Sequence, residues 1–168
     1  MDIVMVVLRL FHLFSSVIWA GFTFAMVLLV APAFAPLGPE GGKMMLRISG
    51  TRNFQIVIPS AAGLSVLSGL LLYYRLFGPM APLNTGAGLA LTVGGAAGVL
   101  AFIEGLQISR TQNALREASN AAEKTKPSES QIAEMQKLQQ KLGKLTATTA
   151  ILMVIALTGM TLSEYFAI

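Results

Sequence analysis

Four stretches of this chain are each long and apolar enough to cross a bilayer, which leaves few folds open. A helix of about 20 predominantly apolar residues spans the ~30 Å hydrocarbon core. The stretches cover residues 3–30, 54–74, 86–107 and 145–166. Inside lipid a spanning backbone must satisfy its own hydrogen bonds, so each stretch is read as an α-helix. Composition agrees: charged residues are 12% of the chain, against about a quarter in soluble domains. The expected fold is all-α, a polytopic antiparallel bundle of four transmembrane helices in one membrane domain covering 1–168.

The first stretch has a rival reading as a cleaved signal peptide, because APAFA (31–35) offers cleavage-like small residues. Its leading MDIV carries an aspartate and no base, and the apolar run exceeds the ~7–15 residues of a signal core. A retained helix is expected. The chain has no cysteine, which excludes disulfides, thiolate metal sites, iron–sulfur clusters and CxxCH haem attachment.

Loop charges orient the bundle. Lys43, Arg47 and Arg52 flank the first loop, and Arg110, Arg116, Lys124, Lys126, Lys137, Lys141 and Lys144 fill the third. The opposite side has only Arg75 as a flanking base. The positive-inside rule then puts loops 1 and 3 in the cytoplasm and both termini outside. Tyr73, Tyr74 and Tyr165 fall at the outer interface, where amphipathic rings settle. The net charge of +4 thus answers to a lipid bilayer and points to no nucleic acid.

The third loop has helical periodicity on both sides of Pro127. Ile108, Thr111, Leu115, Ala118 and Ala122 form one seam, and Ile132, Met135, Leu138, Leu142 and Leu145 the other. Ser128 and Gln131 fit a capping box. A cytoplasmic helical hairpin over 108–144 is expected to extend the third and fourth spans, either as a plain connection or as a docking surface. In the first loop, PEGGKMMLRISGTR predicts a short interfacial helix with its apolar side towards lipid.

The first span carries the chain's only histidine and only tryptophan. At about 100° per residue, Asp2, Met5, Arg9, His12, Ser16, Trp19 and Thr23 fall within an arc roughly 100° wide. A charge facing hydrocarbon near mid-membrane costs at least ~2.5 kcal/mol, so this stripe is expected to face the bundle interior. Arg9 is expected to contact Glu164 at a comparable depth, with Asp2 as the competing partner. Glu104 is expected to be neutralised by Lys144 or Arg52. His12 lies roughly 14 Å below the outer boundary, where an imidazole either bonds a neighbouring helix or ligates a metal. Met5 shares its face and Met160 reaches a similar depth. An imidazole with thioethers suits copper(I), and also a His/Met axial pair on haem b. Gly94 and Gly98, with Ser65 and Gly69, have the four-residue spacing of close helix packing. Pro59 is expected to kink the second span and to open room beside His12 if their depths coincide.

FHLFSSVIWAGF resembles the first helix of copper resistance D (CopD)-like bacterial membrane proteins, whose pattern H-x6-W-x-G is met by His12, Trp19 and Gly21. The wider likeness, through APAFAPLGPEGGKMM and GLSVLSGLLLYY, is to uncharacterised four-span membrane proteins. The protoporphyrinogen-oxidising HemJ proteins share the seven-residue His-to-Trp spacing in a small helical bundle. The resemblance implies His12 as a metal or haem ligand, with Trp19 and Gly21 as framework. No catalytic constellation is visible, since the chain has no nucleotide loop and no second histidine, and Glu104 and Glu164 lie at opposite faces. Three readings follow: a copper or haem binder acting as carrier or sensor, a small subunit of a larger membrane complex or homo-oligomer, and a haem-dependent redox enzyme.

Overall fold

The computed structural model describes residues 2–78, 83–124 and 127–166. Lys126 and the turn beside it lie outside these residues, and the Lys124 side chain is likewise not described. The chain is an all-α bundle in which the described residues form no strand. Its elements are α1 (Ile3–Ala25), α2 (Ala31–Phe34), α3 (Pro39–Ser49), α4 (Arg52–Phe77), α5 (Gly86–Lys124) and α6 (Glu129–Tyr165). Four of its helical segments are long and apolar enough to cross a membrane, and the chain is a multi-pass membrane protein.

The first span is longer than its hydropathy predicted. Beyond α1, a π-helical turn over Met26–Val30 leads into α2 and a 3₁₀ turn over Ala35–Leu37. The cause is local: Pro32 has no N–H to donate and its ring crowds the preceding turn. The backbone widens there, and Ala31 N–H bonds the Met26 carbonyl five residues back. Gly38, with φ of 55°, then lets the chain reverse into α3. A side chain at Gly41 would run into the Phe34 carbonyl, so α3 folds back closely on the end of the first span.

The third and fourth spans each continue without a break into the hairpin. Thirty-nine residues make α5 about 58 Å long, well beyond the hydrocarbon thickness. Ser128 caps α6: its hydroxyl accepts from Gln131 N–H at 3.3 Å while the Gln131 side chain accepts from Ser128 N–H at 2.9 Å. The hairpin seam forms at its core, with Thr111 and Leu115 buried and Met135, Leu138 and Leu142 half-buried. Ile132, near the tip, stays exposed. Helix α3 tucks against the base of the hairpin, where the Arg116 guanidinium packs beside Gly50. Its Nε and one terminal nitrogen are buried with no hydrogen-bond partner among the described residues. The negative end of the α3 dipole is what faces them.

Packing is uneven, and the unevenness positions the site. Helices α5 and α6 touch backbone to backbone, because a Cβ at Gly94 would lie 3.0 Å from the Ala156 carbonyl oxygen and one at Gly159 only 2.6 Å from that of Ala90. Helices α1 and α4 form a second close pair, while α4 with α5 and α1 with α6 meet along shorter interfaces. The two pairs join through a small-residue core of Trp19, Ala20, Ala61, Ala62, Ala101 and Met153, with Phe102 edge-on to Trp19 at 6.4 Å. Towards the end carrying both termini they part. Outward, Phe14 (64% exposed), Leu29 (68%) and Ile151 (60%) form an apolar periphery suited to a lipid bilayer. At the terminal end, Arg75 pairs with Asp2 at 3.6 Å and the Phe166 ring lies over Gly86.

Replacing Gly159 with alanine should lower stability by about 1–3 kcal/mol, because the added methyl has no room between backbones. Gly63→Ala, where a Cβ meets nothing within 4 Å, should be neutral or mildly stabilising. Thermal unfolding of both variants in detergent, followed by circular dichroism, checks the contrast.

Candidate functional site

Where the helix pairs part, they enclose a cavity of about 660 Å³, within the ~300–1,000 Å³ usual for small-molecule and cofactor sites. Arg9, His12, Ser16 and Trp19 of α1 line it, at positions that recur every three or four residues on one face. Most of the remaining wall is apolar, including Leu72, Leu91, Val99 and Met160. From His12 to Thr23 the polar stripe of the first span therefore faces the interior, Arg9 borders the cavity while remaining exposed, and the other sides of α1 carry Val, Leu, Ile and Phe.

The imidazole of His12 is fixed by α4. Its Nδ1 lies 2.8 Å from the Ser65 carbonyl oxygen. A carbonyl only accepts, so Nδ1 carries a proton and donates, and in the neutral ring the lone pair is then on Nε2. Nε2 has no hydrogen-bond partner among the described residues, on a side chain that lines the cavity. Ser68 Oγ stands 3.5 Å from Nδ1 but spends its own proton on the Leu64 carbonyl at 2.6 Å. The ring fits because residue 69 is glycine: a Cβ there would lie 2.8 Å from Cε1. One turn along α1, the hydroxyls of Ser16 and Ser65 bond at 2.7 Å and tie the same two helices.

The other expected residues scatter. Arg9 and Glu164 form no ion pair; among the described residues Asp2 pairs instead with Arg75, and Arg9 makes no hydrogen bond or ion pair. Met160 lines the cavity with His12, whereas Met5 is half-buried outside its wall. Trp19 is buried at the cavity floor, and its indole N–H makes no hydrogen bond among the described residues. Gly94 packs tightly on α6, but Gly98 only borders the cavity, 4.0 Å from Ala156 Cβ at the nearest. Gly21 is exposed and a Cβ on it would meet nothing within 4 Å, which corrects its expected packing role. Pro59 does not open the room beside His12, because the imidazole meets α4 at Ser65 and Gly69, six or more residues further along. Glu104 takes neither expected cation: its carboxylate accepts from Thr148 Oγ1 and Thr149 Oγ1, both at 2.9 Å.

Sequence reading missed Tyr73 and Thr92 as cavity residues, joined by a 2.8 Å hydrogen bond across α4 and α5. Tyr73 looked like an interfacial ring. The Ser65/Gly69 spacing was visible, yet its use as a seat for an imidazole depended on the register of α1 on α4.

The single histidine makes the geometry directly measurable. Nitrogen NMR of the protein in detergent should show Nδ1 of the imidazole protonated and hydrogen-bonded. Gly69→Ala should abolish that pattern by displacing the ring, and an unchanged pattern would contradict the assigned contact. Comparison with protein-family models, curated proteins and solved structures finds no match to this chain.

Proposed function

We propose that this protein binds a haem-type tetrapyrrole in the cavity, with His12 as its axial ligand. The observation that carries this reading is the Nδ1–H to Ser65 carbonyl bond beside an unpartnered Nε2. Metal-ligating histidines are oriented and made more basic by donating their other N–H in this way. An apolar-walled cavity of about 660 Å³ suits a largely apolar macrocycle, and Met160 is a thioether on its wall. Copper is supported less well. No group of three His, Cys, Asp or Glu is assembled among the described residues, and Met5 stands apart from His12 and Met160. A haem axial site needs only one imidazole from this chain.

Bound haem would supply one-electron redox chemistry. The chain's own part is to hold the imidazole by its Nδ1–H, to line the cavity with apolar side chains, and to close the floor with Trp19, which Phe102 backs edge-on. That arrangement serves a carrier, a sensor or a redox enzyme, as the resemblance to CopD-like and HemJ proteins also implies. We place the chain in a bacterial inner membrane with both termini outside. The bases of α3 and of the hairpin support that orientation, which sets the cavity in the outer half of the bilayer.

Titrating the purified protein with hemin should give a saturable Soret shift at one equivalent. His12→Ala should abolish the axial spectrum while leaving helix content unchanged. Stoichiometric copper with no haem uptake would instead favour the copper reading.

A further inference from the structure

We infer that the cavity selects a ligand bearing a carboxylate, and that Arg9 is the residue that receives it. This rests on the reading of the cavity as a ligand site and adds the chemical class of what enters.

The cavity is layered. Arg9 precedes His12 by three residues, about 4.5 Å nearer the terminal end along α1. Helix α4 runs the opposite way, so Tyr73, four residues beyond Gly69, lies about 6 Å nearer that same end. Arg9 and the Tyr73–Thr92 pair thus form a polar rim, His12 with Ser16 and Ser65 forms a deeper polar patch, and apolar residues make most of the remaining wall. The rim also carries a cation without an anion. Asp2 is engaged by Arg75, Glu164 forms no ion pair, and no described carboxylate reaches the Arg9 guanidinium. A guanidinium beside an apolar chamber in a bilayer gains most from an acceptor with two oxygens held at its edge. A ligand matching these layers has an apolar body and an acidic end.

Access fits the same class. Leu70 and Leu76 of α4 and Leu100 of α5 line the cavity while remaining about half exposed on the bundle surface (53%, 49% and 51%). The chamber therefore opens on a lipid-facing flank between α4 and α5, where those helices meet only briefly. A molecule dissolved in the bilayer can enter sideways and leave its carboxylate at the level of Arg9.

The test uses the full chain in phosphatidylcholine nanodiscs and two probe pairs, hemin with its dimethyl ester and cis-parinaric acid with its methyl ester. The acid should bind about tenfold tighter than the ester in at least one pair, as a charge-assisted hydrogen bond implies. Arg9→Gln should remove that preference without changing helix content, and Arg9→Lys should keep part of it. Equal binding of acid and ester in both pairs, as for an arginine that merely reaches the headgroups, overturns the inference. So does a preference that survives Arg9→Gln. Failure of the haem reading shows separately, as no Soret shift with either hemin form while parinaric acid is still preferred over its ester.

Discussion

Lipid as solvent is the constraint from which the rest of this structure follows. Hydrocarbon offers no hydrogen bonds, so each spanning backbone closes its own ladder, and most hydroxyls inside the spans turn back on it. Ser15 bonds the Phe11 carbonyl, Thr23 that of Trp19 and Thr161 that of Leu157, each four residues earlier. Hydrocarbon also removes the usual reason for helices to associate, since leucine is as content against lipid as against leucine. Close approach must supply the attraction. Gly94 and Gly159 allow it between the backbones of α5 and α6, and between α1 and α4 the notch at Gly69 takes in the His12 ring.

A bundle held mainly by two close pairs has a weak plane between them, and the cavity lies in that plane. The same notch that admits the His12 ring brings α1 onto α4 and presents the imidazole edge to the open space. Packing and cavity therefore meet at Gly69: the glycine against which α1 packs through His12 is the glycine that seats the imidazole ring. Trp19 joins the two regions, buried in the core on one side and flooring the cavity on the other.

The opposite end is organised by charge. Arg110, Arg116, Lys137, Lys141 and Lys144 occupy the part of the hairpin nearest the spans, while the sequence between them mixes Glu117, Glu123, Glu129 and Glu134 with Lys124 and Lys126. Helix α3 adds Lys43 and Arg47 at the same level, with Lys43 held by Glu40 at 3.0 Å. Beside Glu40 the Lys43 ammonium keeps its proton above the usual lysine range, through that hydrogen bond and the carboxylate charge. Such a collar of bases fits a surface of anionic headgroups.

Much of the architecture was legible from hydropathy and spacing alone. The spans, the hairpin seam, the capping box at Ser128 and the helix over PEGGKMMLRIS depend on local periodicity and on residues a few positions apart. So did the inward turn of the Arg9–His12–Ser16–Trp19 face, because a polar stripe on a helix in lipid has only one inexpensive direction. Partners were another matter. That His12 meets Ser65 rather than the region of Pro59, that Asp2 takes Arg75 and leaves Arg9 aside, and that Glu104 is held by threonines were decided by the relative depth and rotation of separate helices. Gly21 and Gly69 look alike in a sequence, yet one faces outward and the other seats a ring. The first kind of feature is set by a helix's own repeat of 3.6 residues per turn, which the sequence carries in full. The second is set by interhelical register, where a shift of one residue moves a side chain 1.5 Å along the axis and 100° around it.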